Sequence, residues 1–383
     1  MWALGLVSLF MDTSSELVHS LLPIFITMTL GASMNVLGLI EGVAEAIAQG
    51  GKLASGPLSD WTRRRKPWIL AGYGLSALTK PLFPLAYGIG PVAIARFADR
   101  VGKGIRGAPR DAMLADVTPE AQRGAAYGLR QALDTVGAVL GPLSAAGLLI
   151  LYADDIRLTL WWAVLPALLC VLTIISFVRE PEKSHEQAAT RPGFRNIGEL
   201  PAAFWLAAGI AVVLTLARFS DAFLILRGTS LKVPLASTPM ILVLMNIVYA
   251  LSSYPAGELS DRIGRRGLLA VGTLALVAGD LALGFAGGIL GLGLGIALWG
   301  LHLGLTQGLL SAMVADAAPK RLRGTAFGLF YASTGVALLA ASAAAGVLWD
   351  TFGAGVPFLV GAGVAALVLL LLPTAGRRSR QNF

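Results

Sequence analysis

Two stretches of the chain, 200 residues apart, are close copies of each other. Residues 112–129 read AMLADVTPEAQRGAAYGL, and residues 312–329 read AMVADAAPKRLRGTAFGL. A second pair recurs at an offset of 201, with GPLSDWTRRRK beginning at Gly56 and GELSDRIGRRG at Gly257. Two matches at nearly one offset indicate an internal duplication, so we predict two related halves.

The composition is that of an integral membrane protein. Of the 383 residues, 56% are hydrophobic and only 14% are charged, whereas soluble proteins carry about 25% charged residues. The apolar residues form runs of about 20 or more, which is long enough for a helix to cross a hydrocarbon core of roughly 30 Å. The fold class predicted is therefore an all-α membrane protein.

Twelve apolar runs are predicted to span the membrane. They lie near residues 3–28, 35–55, 68–87, 90–114, 124–151, 158–178, 203–226, 238–256, 268–285, 288–314, 324–348 and 355–373. The longest polar segment separates the sixth run from the seventh, which is typical of a linker. We predict an N-terminal six-helix bundle over residues 1–178, a cytoplasmic linker over 179–201 and a C-terminal six-helix bundle over 202–383.

Charge in the loops predicts the orientation. Clusters of Lys and Arg follow the second, eighth and tenth runs, and the loops on the opposite side contain few. Positive loops favour the cytoplasmic side, so both termini are expected in the cytoplasm, in a bacterial inner membrane. The net charge of +8 is thereby explained without a nucleic-acid partner. The first run lacks a basic leader and a cleavage site, so we expect a retained span. The protein is expected to work as a monomer in the lipid bilayer.

Glycine, proline and charge recur in the fourth and fifth spans. The fourth contains RVGKGIRGA at residues 100–108, and the fifth places Gly137, Gly141 and Pro142 after Gly128. Glycines at this spacing let a neighbouring helix approach closely, and proline bends the span.

These motifs resemble those of the major facilitator superfamily over essentially the whole chain. GELSDRIGRR at residues 257–266 is similar to the signature cytoplasmic loop of that family, and the N-terminal copy departs from it at Trp61 and Arg63. The fourth span resembles the buried-arginine motif of the family, with Lys103 in place of the usual glutamine. The fifth span is similar to the glycine motif of exporters that work as antiporters, although it ends in two alanines. The resemblance implies a two-bundle transporter that exports its substrate.

Carboxylates and arginines at the cytoplasmic helix ends are predicted to latch that side shut in one conformation. Asp116 and Asp316, inside the repeat, are candidate partners for the loop arginines, because opposite charges at helix ends attract each other. The predicted gating residues are Asp60, Arg64, Arg65, Asp116, Gly137, Gly141, Pro142, Asp261, Arg265, Arg266 and Asp316.

Ionisable residues also lie inside the predicted spans, mostly in the first half. Asp12, Glu16 and His19 are spaced so that they share one helix face. Each buried charge costs roughly 2.5–3.5 kcal/mol on insertion scales, so these residues must form pairs or line a wet cavity. At the repeat offsets Arg100 corresponds to Gly300 and Glu45 to Asn246, so the fold does not itself require the charges.

We therefore predict a substrate-binding and proton-binding site. Its candidate residues are Asp12, Glu16, His19, Glu41, Glu45, Arg100, Lys103, Arg130, Asp134, Asp221 and Asn246. A duplicated bundle with charges at mid-depth is typical of a secondary transporter. No phosphate-binding Gly-Lys-Ser/Thr loop is present, so a proton gradient is the expected energy source, with sodium as an open alternative and no cofactor.

The substrate has three candidate classes. Export of a small organic molecule or metal chelate ranks first, because the fourth span is basic. A free divalent metal ion ranks second, since Glu16, His19, Glu41, Glu45 and Asp134 are suitable ligand types. A lipophilic drug ranks third, with aromatic residues of several spans as a binding wall. A receptor or an enzyme is disfavoured, because both gating loops are intact and no nucleophile motif is present.

Overall fold

The computed structural model describes residues 2–62, 64–119, 122–180, 194–319 and 322–379, and the regular elements in these ranges are all helices. The first half contains α1 (Trp2–Ile24), α2 (Met34–Thr62), α3 (Lys66–Thr79), α4 (Leu82–Leu85), α5 (Ile89–Asp116), α6 (Arg123–Leu151), α7 (Ile156–Trp161) and α8 (Val164–Phe177). The second half contains α9 (Ala202–Ala217), α10 (Ala222–Ser230), α11 (Met240–Gly284), α12 (Ile289–Ala317), α13 (Arg323–Phe352) and α14 (Val356–Ser379).

Each of the twelve predicted spans falls on helical structure. Three spans consist of two consecutive helices, namely α3 with α4, α7 with α8, and α9 with α10. Helix α11 covers two spans because it turns sharply at Gly264, where φ is 76° and ψ is 157°. Glycine adopts this positive φ without the steric cost that other residues incur, so the signature loop needs glycine there.

Seven helical segments of the described residues are long and apolar enough to cross a membrane. They are Ala126–Leu151, Ile156–Phe177, Ala202–Ser230, Leu235–Ser253, Gly264–Gly284, Ile289–Ala317 and Thr325–Phe352. The predicted spans in α1, α2 and α5 fall outside this set because polar and charged side chains interrupt their apolar sequence. The charged residues that lower the hydropathy of α1, α2 and α5 thus lie in the first half of the chain.

The chain forms two compact units. Unit 1 consists of Met1–Ala32, Val43–Phe194 and Leu235–Met240, and unit 2 consists of Ser33–Gly42, Arg195–Pro234 and Ile241–Phe383. Helix α2 therefore contributes residues to both units. This division differs from the predicted bundles in the placement of two short segments, residues 33–42 and 235–240.

In unit 1, helix α1 packs against α6 through two glycines. A β-carbon on Gly137 would lie 2.8 Å from the carbonyl oxygen of Leu9, and one on Gly141 would lie 2.7 Å from the carbonyl oxygen of Thr13. The close helix approach predicted from the glycine spacing is confirmed, and the neighbour is α1. On the opposite side, a core that includes Met11 and Cys170 joins α1 to α8.

In unit 2, helix α9 packs against α13 through small and aromatic side chains, including Phe204, Ala208 and Phe330. The first turn of α2 is held by Asp350, whose two carboxylate oxygens accept the backbone N–H groups of Met34 at 3.1 Å and Asn35 at 2.9 Å. A carboxylate there satisfies orphan amides and interacts favourably with the helix dipole.

Substituting Gly141 with alanine tests the α1–α6 contact. The new methyl group would meet backbone atoms 2.7 Å away, so Gly141→Ala should destabilise the protein by about 1–3 kcal/mol. Gly147 lies on the same helix with nothing within 4 Å of its β-carbon position, so Gly147→Ala should be neutral or stabilising. Thermal unfolding of the purified protein in detergent measures both. Equal effects from the two substitutions would contradict the packing described.

Candidate functional site

Helix α5 supplies most of the charge inside unit 1. Arg96, Arg100, Lys103 and Arg106 recur every three or four residues, which places them along one side of the helix. The backbone of α3 lies very close to α5, because a β-carbon on Gly102 would stand 2.6 Å from the carbonyl oxygen of Gly72. The α5 charges therefore sit deep among the helices of unit 1.

The most deeply buried ion pair joins α5 to the end of α3. The ammonium of Lys80 lies 3.0 Å from a carboxylate oxygen of Asp99, and the two side chains are 1% and 4% exposed. Lys80 also donates to the hydroxyl of Ser15 on α1 at 3.0 Å. Three helices thus meet at one closed pair, and we assign this pair to the scaffold.

A second ion pair is more open. The guanidinium of Arg100 lies 3.2 Å from a carboxylate oxygen of Glu45 on α2, and the Glu45 side chain is 23% exposed. Asp99 approaches the same arginine at 4.0 Å. Arg100 therefore shares its charge between a buried carboxylate and an accessible one, and only Glu45 can be reached by water.

Arg96 fixes the hydrogen bonding of His19. A guanidinium nitrogen of Arg96 lies 3.0 Å from Nδ1 of His19. Arginine has no acceptor, so Nδ1 accepts this bond and the ring proton resides on Nε2. In this arrangement the imidazole is neutral and lies between α1 and α5.

Tyr73 on α3 organises two further arginines. The guanidinium of Arg106 lies 4.6 Å from the centre of the Tyr73 ring and donates to the hydroxyl of Ser76 at 2.5 Å. Arg110 donates to Asp111 at 3.0 Å and to the Tyr73 hydroxyl at 3.4 Å. Cation–π contact and hydrogen bonds stabilise these buried charges.

Helix α6 adds a third ion pair. Arg130 donates to a carboxylate oxygen of Asp134 one turn away at 2.6 Å, and its Nε lies 3.8 Å from a carboxylate oxygen of Asp111. Both α6 side chains are half-buried. Arg130 and Asp134, both candidate site residues from the sequence, thus form an ion pair with each other.

Three charged side chains of unit 1 differ from the paired residues described above in having no such partner among the described residues. Asp12, Glu16 and Lys103 are partly exposed, and within the described residues no hydrogen bond or ion pair holds them. They nevertheless act on one another electrostatically, because Lys103 attracts both carboxylates. Asp12 is also attracted by Arg106 and Arg110 and repelled by Asp134. These groups are thus available to a ligand while remaining inside a charged environment.

The predicted site residues divide between the two units. Asp12, Glu16, His19, Glu45, Arg100, Lys103, Arg130 and Asp134 lie in unit 1, and Glu41, Asp221 and Asn246 lie in unit 2. Glu41 is buried, and Asp221 precedes the first turn of α10. Unit 1 alone therefore assembles the charged cluster.

Cations outnumber carboxylates in this cluster. The cations are Lys52, Lys80, Arg96, Arg100, Lys103, Arg106, Arg110 and Arg130. The carboxylates are Asp12, Glu16, Glu45, Asp99, Asp111 and Asp134. An excess of positive charge in a site favours ligands that carry a negative group.

Two predictions about the site need correction. In the part of the chain that the structure describes, no three His, Cys, Asp or Glu side chains come together as metal ligands. The predicted carboxylate–histidine metal cluster is wrong there, because Glu45 and Asp134 face arginines instead. The predicted aromatic wall is also wrong in part, since Phe219, Phe223 and Trp299 pack on one another in the interior of unit 2.

The predicted partners of the loop arginines are present in both halves. Nε of Arg65 lies 3.3 Å from a carboxylate oxygen of Asp116, and Arg265 pairs with Asp316 at the equivalent position. Arg64 and Arg266 are exposed. The side chains of Asp60 and Asp261 lie outside the described residues. A gating role for these groups stays a prediction.

Sequence reasoning missed the Lys80–Asp99 pair. Lys80 is the single cation of an otherwise apolar third span, and Asp99 directly precedes Arg100, so both were recognisable as charges. Their pairing was not visible, because the spacing along a helix does not say which neighbouring helix a residue meets. The supporting polar groups Ser15, Ser76 and Tyr73 were missed for the same reason.

A duplicated helical bundle with ionisable side chains inside it is the architecture of secondary transporters. The sequence profile of the Major Facilitator Superfamily matches residues 4–226 and 206–382. The chain belongs to this superfamily and is a multi-pass membrane protein with its twelve-helix fold.

Individual relatives agree with this assignment. An uncharacterized MFS-type transporter of Methanocaldococcus jannaschii is 36% identical over 97% of this chain and 93% of its own. The nucleoside transporter NupG has a similar structure, with a TM-score of 0.83, 12% identity and coverage of 97% and 98% of the two chains. A D-xylose–proton symporter has a TM-score of 0.72, 18% identity and coverage of 97% and 95%. At these identities the two solved structures show the fold alone.

The buried pair gives a test of the scaffold assignment. Lys80→Met removes the nearest counter-charge of the buried Asp99 carboxylate, leaving only the more distant Arg100 at 4.0 Å, and should cost about 3–5 kcal/mol of stability. Lys80→Met combined with Asp99→Leu removes both charges, so the double variant should be more stable than the single one. Thermal unfolding in detergent compares the variants. A double variant as unstable as the sum of the two single variants would contradict the assignment.

Proposed function

We propose that this protein is a secondary active transporter that exports a small organic molecule or metal chelate in exchange for protons. The substrate class we favour carries both a cationic centre and an anionic group. The proposal places the protein in the cytoplasmic membrane with both termini in the cytoplasm. Support for this orientation comes from the basic loops, which include Arg65 and Arg265.

The observation that carries the proposal is the set of three unpaired charges in unit 1. Asp12 and Glu16 on α1 offer carboxylates, and Lys103 on α5 offers an ammonium. Leaving such groups unpaired inside a membrane is costly, so their retention points to a ligand that completes them. A ligand with charges of both signs satisfies all three.

Proton exchange follows from competition at the carboxylates. Asp12 lies within the field of Asp134, and a proton bound to Asp12 would relieve the repulsion between the two carboxylates. A cationic centre of the substrate bound at Asp12 would do the same. Proton and substrate are then alternative occupants of one carboxylate, which is what antiport requires.

The anionic part of the substrate has separate contacts. Lys103 is available at once, and Arg100 becomes available when Glu45 turns away from it. Glu45 is accessible enough to make this exchange, whereas Asp99 stays bound to Lys80. The Arg100–Glu45 pair then binds the substrate, while the Lys80–Asp99 pair holds the helices together.

The direction of transport is supported by the contact between α1 and α6. Gly137 and Gly141 belong to the span that resembles the glycine motif of antiporting exporters. In the structure these glycines lie against α1. A β-carbon placed on Gly137 would stand 3.0 Å from the β-carbon of Asp12, and one placed on Gly141 would stand 2.9 Å from the β-carbon of Glu16. The motif therefore lies directly against the proposed exchange site.

The energy available from protons is sufficient. One charge that crosses a potential of 100 mV supplies about 2.3 kcal/mol. One protein with this fold, the D-xylose–proton symporter, is coupled to protons. We extend proton coupling to the present chain, but as antiport, in which proton and substrate move in opposite directions.

Proteoliposomes with a trapped pH-sensitive dye test the function. The probes are dialanine as a zwitterion, iron(III) citrate as a chelate, Mn²⁺ as a free metal and tetraphenylphosphonium as a lipophilic cation. Dialanine or the chelate should enter and drive protons out, so that the lumen becomes alkaline. Acidification of the lumen would identify symport and contradict the proposal. A response to Mn²⁺ alone would favour the metal-ion alternative.

Two substitutions separate proton exchange from binding in this assay. Asp12→Asn should abolish the proton flux driven by the active probe, because the amide cannot exchange a proton. Lys103→Gln should instead weaken binding roughly tenfold or more, since a charge-assisted contact contributes about 1.5–3 kcal/mol. Asp154→Asn, in an exposed loop, is the matched control and should behave as the native protein. Full proton flux in Asp12→Asn would exclude Asp12 as the exchange group.

A further inference from the structure

Among the described residues, unit 2 contains a fully buried carboxyl group, that of Asp280, which the proposed transport site does not use. Asp280, near the end of α11, is 0% exposed. Its Oδ1 accepts a hydrogen bond from Nε1 of Trp299 on α12 at 2.7 Å. Its Oδ2 has no hydrogen-bond partner among the described residues. An orphaned oxygen on a fully buried carboxyl group requires a physical explanation.

The internal repeat shows what is missing at this position. At the offset of 200, Asp280 corresponds to Lys80 and Trp299 corresponds to Asp99. In unit 1 these two positions hold an ammonium and a carboxylate 3.0 Å apart. In unit 2 they hold a carboxyl group and an uncharged indole. The indole donates one hydrogen bond but supplies no counter-charge.

Other ionisable groups on the neighbouring elements do not supply a counter-charge to Asp280 either. Arg227 on α10 donates to the carbonyl oxygens of Leu283, at 2.9 Å, and Ala286, also at 2.9 Å. Nδ1 of His302 on α12 lies 2.8 Å from the carbonyl oxygen of Gly272. Arg218 and Asp221 lie in the break between α9 and α10. Within the described residues, none of these four groups forms a hydrogen bond or an ion pair with Asp280.

The surroundings of Oδ2 fit a hydrogen-bond donor. A β-carbon on Gly361 would lie 2.8 Å from Oδ2 of Asp280 and 2.7 Å from the carbonyl oxygen of Ala217, so both oxygens border the same small space. Helix α9 ends at Ala217, and Arg218 is extended, so the next helical turn does not satisfy this carbonyl. A carboxylate beside such a carbonyl would be repelled, whereas a carboxylic acid can donate toward it.

We propose that Asp280 is a proton-binding site in unit 2, with the proton on Oδ2 and the Trp299 hydrogen bond on Oδ1. An isolated ionised carboxylate in an apolar interior is so costly that the group binds a proton instead. The proton comes from hydronium in the surrounding water: one of its O–H bonds breaks, leaving water, as the O–H bond of the acid forms. This proposal does not rest on the transport function, because the site is defined by unit 2 alone.

A proton fits this space better than a metal ion. The described residues place one carboxyl oxygen and one carbonyl oxygen there, each less than 3 Å from the position of a β-carbon on Gly361. Hard cations take several oxygen ligands, so two are too few to replace their water. Sodium is accordingly the alternative that the experiment has to exclude.

Infrared difference spectroscopy of the purified full-length protein tests the site. The spectrum of the native protein minus that of Asp280→Asn at neutral pH should show the C=O band of one protonated carboxylic acid, and the band should shift in D₂O. Asp154→Asn removes an exposed carboxylate and should show no such band. A carboxylate band in place of the acid band for Asp280→Asn would overturn the proposal. So would loss of the acid band when sodium chloride replaces choline chloride.

A second variant keeps the test valid if Asp280→Asn does not fold. Trp299→Phe removes the donor to Oδ1 while keeping an aromatic ring, so the acid C=O band should move to higher frequency. Gel filtration confirms that this variant is folded. A band that keeps its frequency in folded Trp299→Phe would show that the acid is not the one bonded to the indole, and would contradict the assignment to Asp280.

Discussion

A charge placed in hydrocarbon costs several kcal/mol unless another charge or water compensates it. This constraint governs the arrangement of unit 1, where α1, α2, α3, α5 and α6 all carry ionisable side chains toward one another. The pairs are graded by exposure. Lys80 and Asp99 are closed off, Arg100 and Glu45 are partly open, and Asp12 stands unpaired. As exposure increases, the groups change from those that hold helices together to those that a ligand can reach.

The duplication separates what the fold needs from what the chemistry needs. Unit 2 repeats the helices of unit 1 but has Gly300 where unit 1 has Arg100, and Phe330 where it has Arg130. Unit 2 instead builds its interior from rings, with Phe219 against Trp299 and Phe358. Two related sequences thus reach one architecture with different interiors, and the polar one is the better candidate for exchange of ions.

Much of the fold was accessible from the sequence, because hydropathy, glycine spacing and internal repetition are properties of single segments. The twelve spans, the close approach at Gly137 and Gly141, and the partners of Arg65 and Arg265 all followed from such local patterns. The site was accessible only in part. Helical periodicity showed that Asp12 and Glu16 share a face, but the neighbours of that face depend on how helices pack. For this reason the Lys80–Asp99 pair went unseen, and a metal cluster was expected where arginines occupy the carboxylates.

Along the seam where Gly137 and Gly141 meet α1, the α1 backbone and the β-carbons of Asp12 and Glu16 lie directly against the two glycines. Helices normally keep their register because ridges of side chains fit into grooves of the partner. At Gly137 and Gly141, α6 presents no side chain of its own, so a shift of α1 along α6 would meet fewer of these ridges. Such a slide would carry Asp12 and Glu16 together and change which α5 cation lies nearest to them. The two glycines would then determine how far the paired carboxyl groups of α1 move along the helix axis.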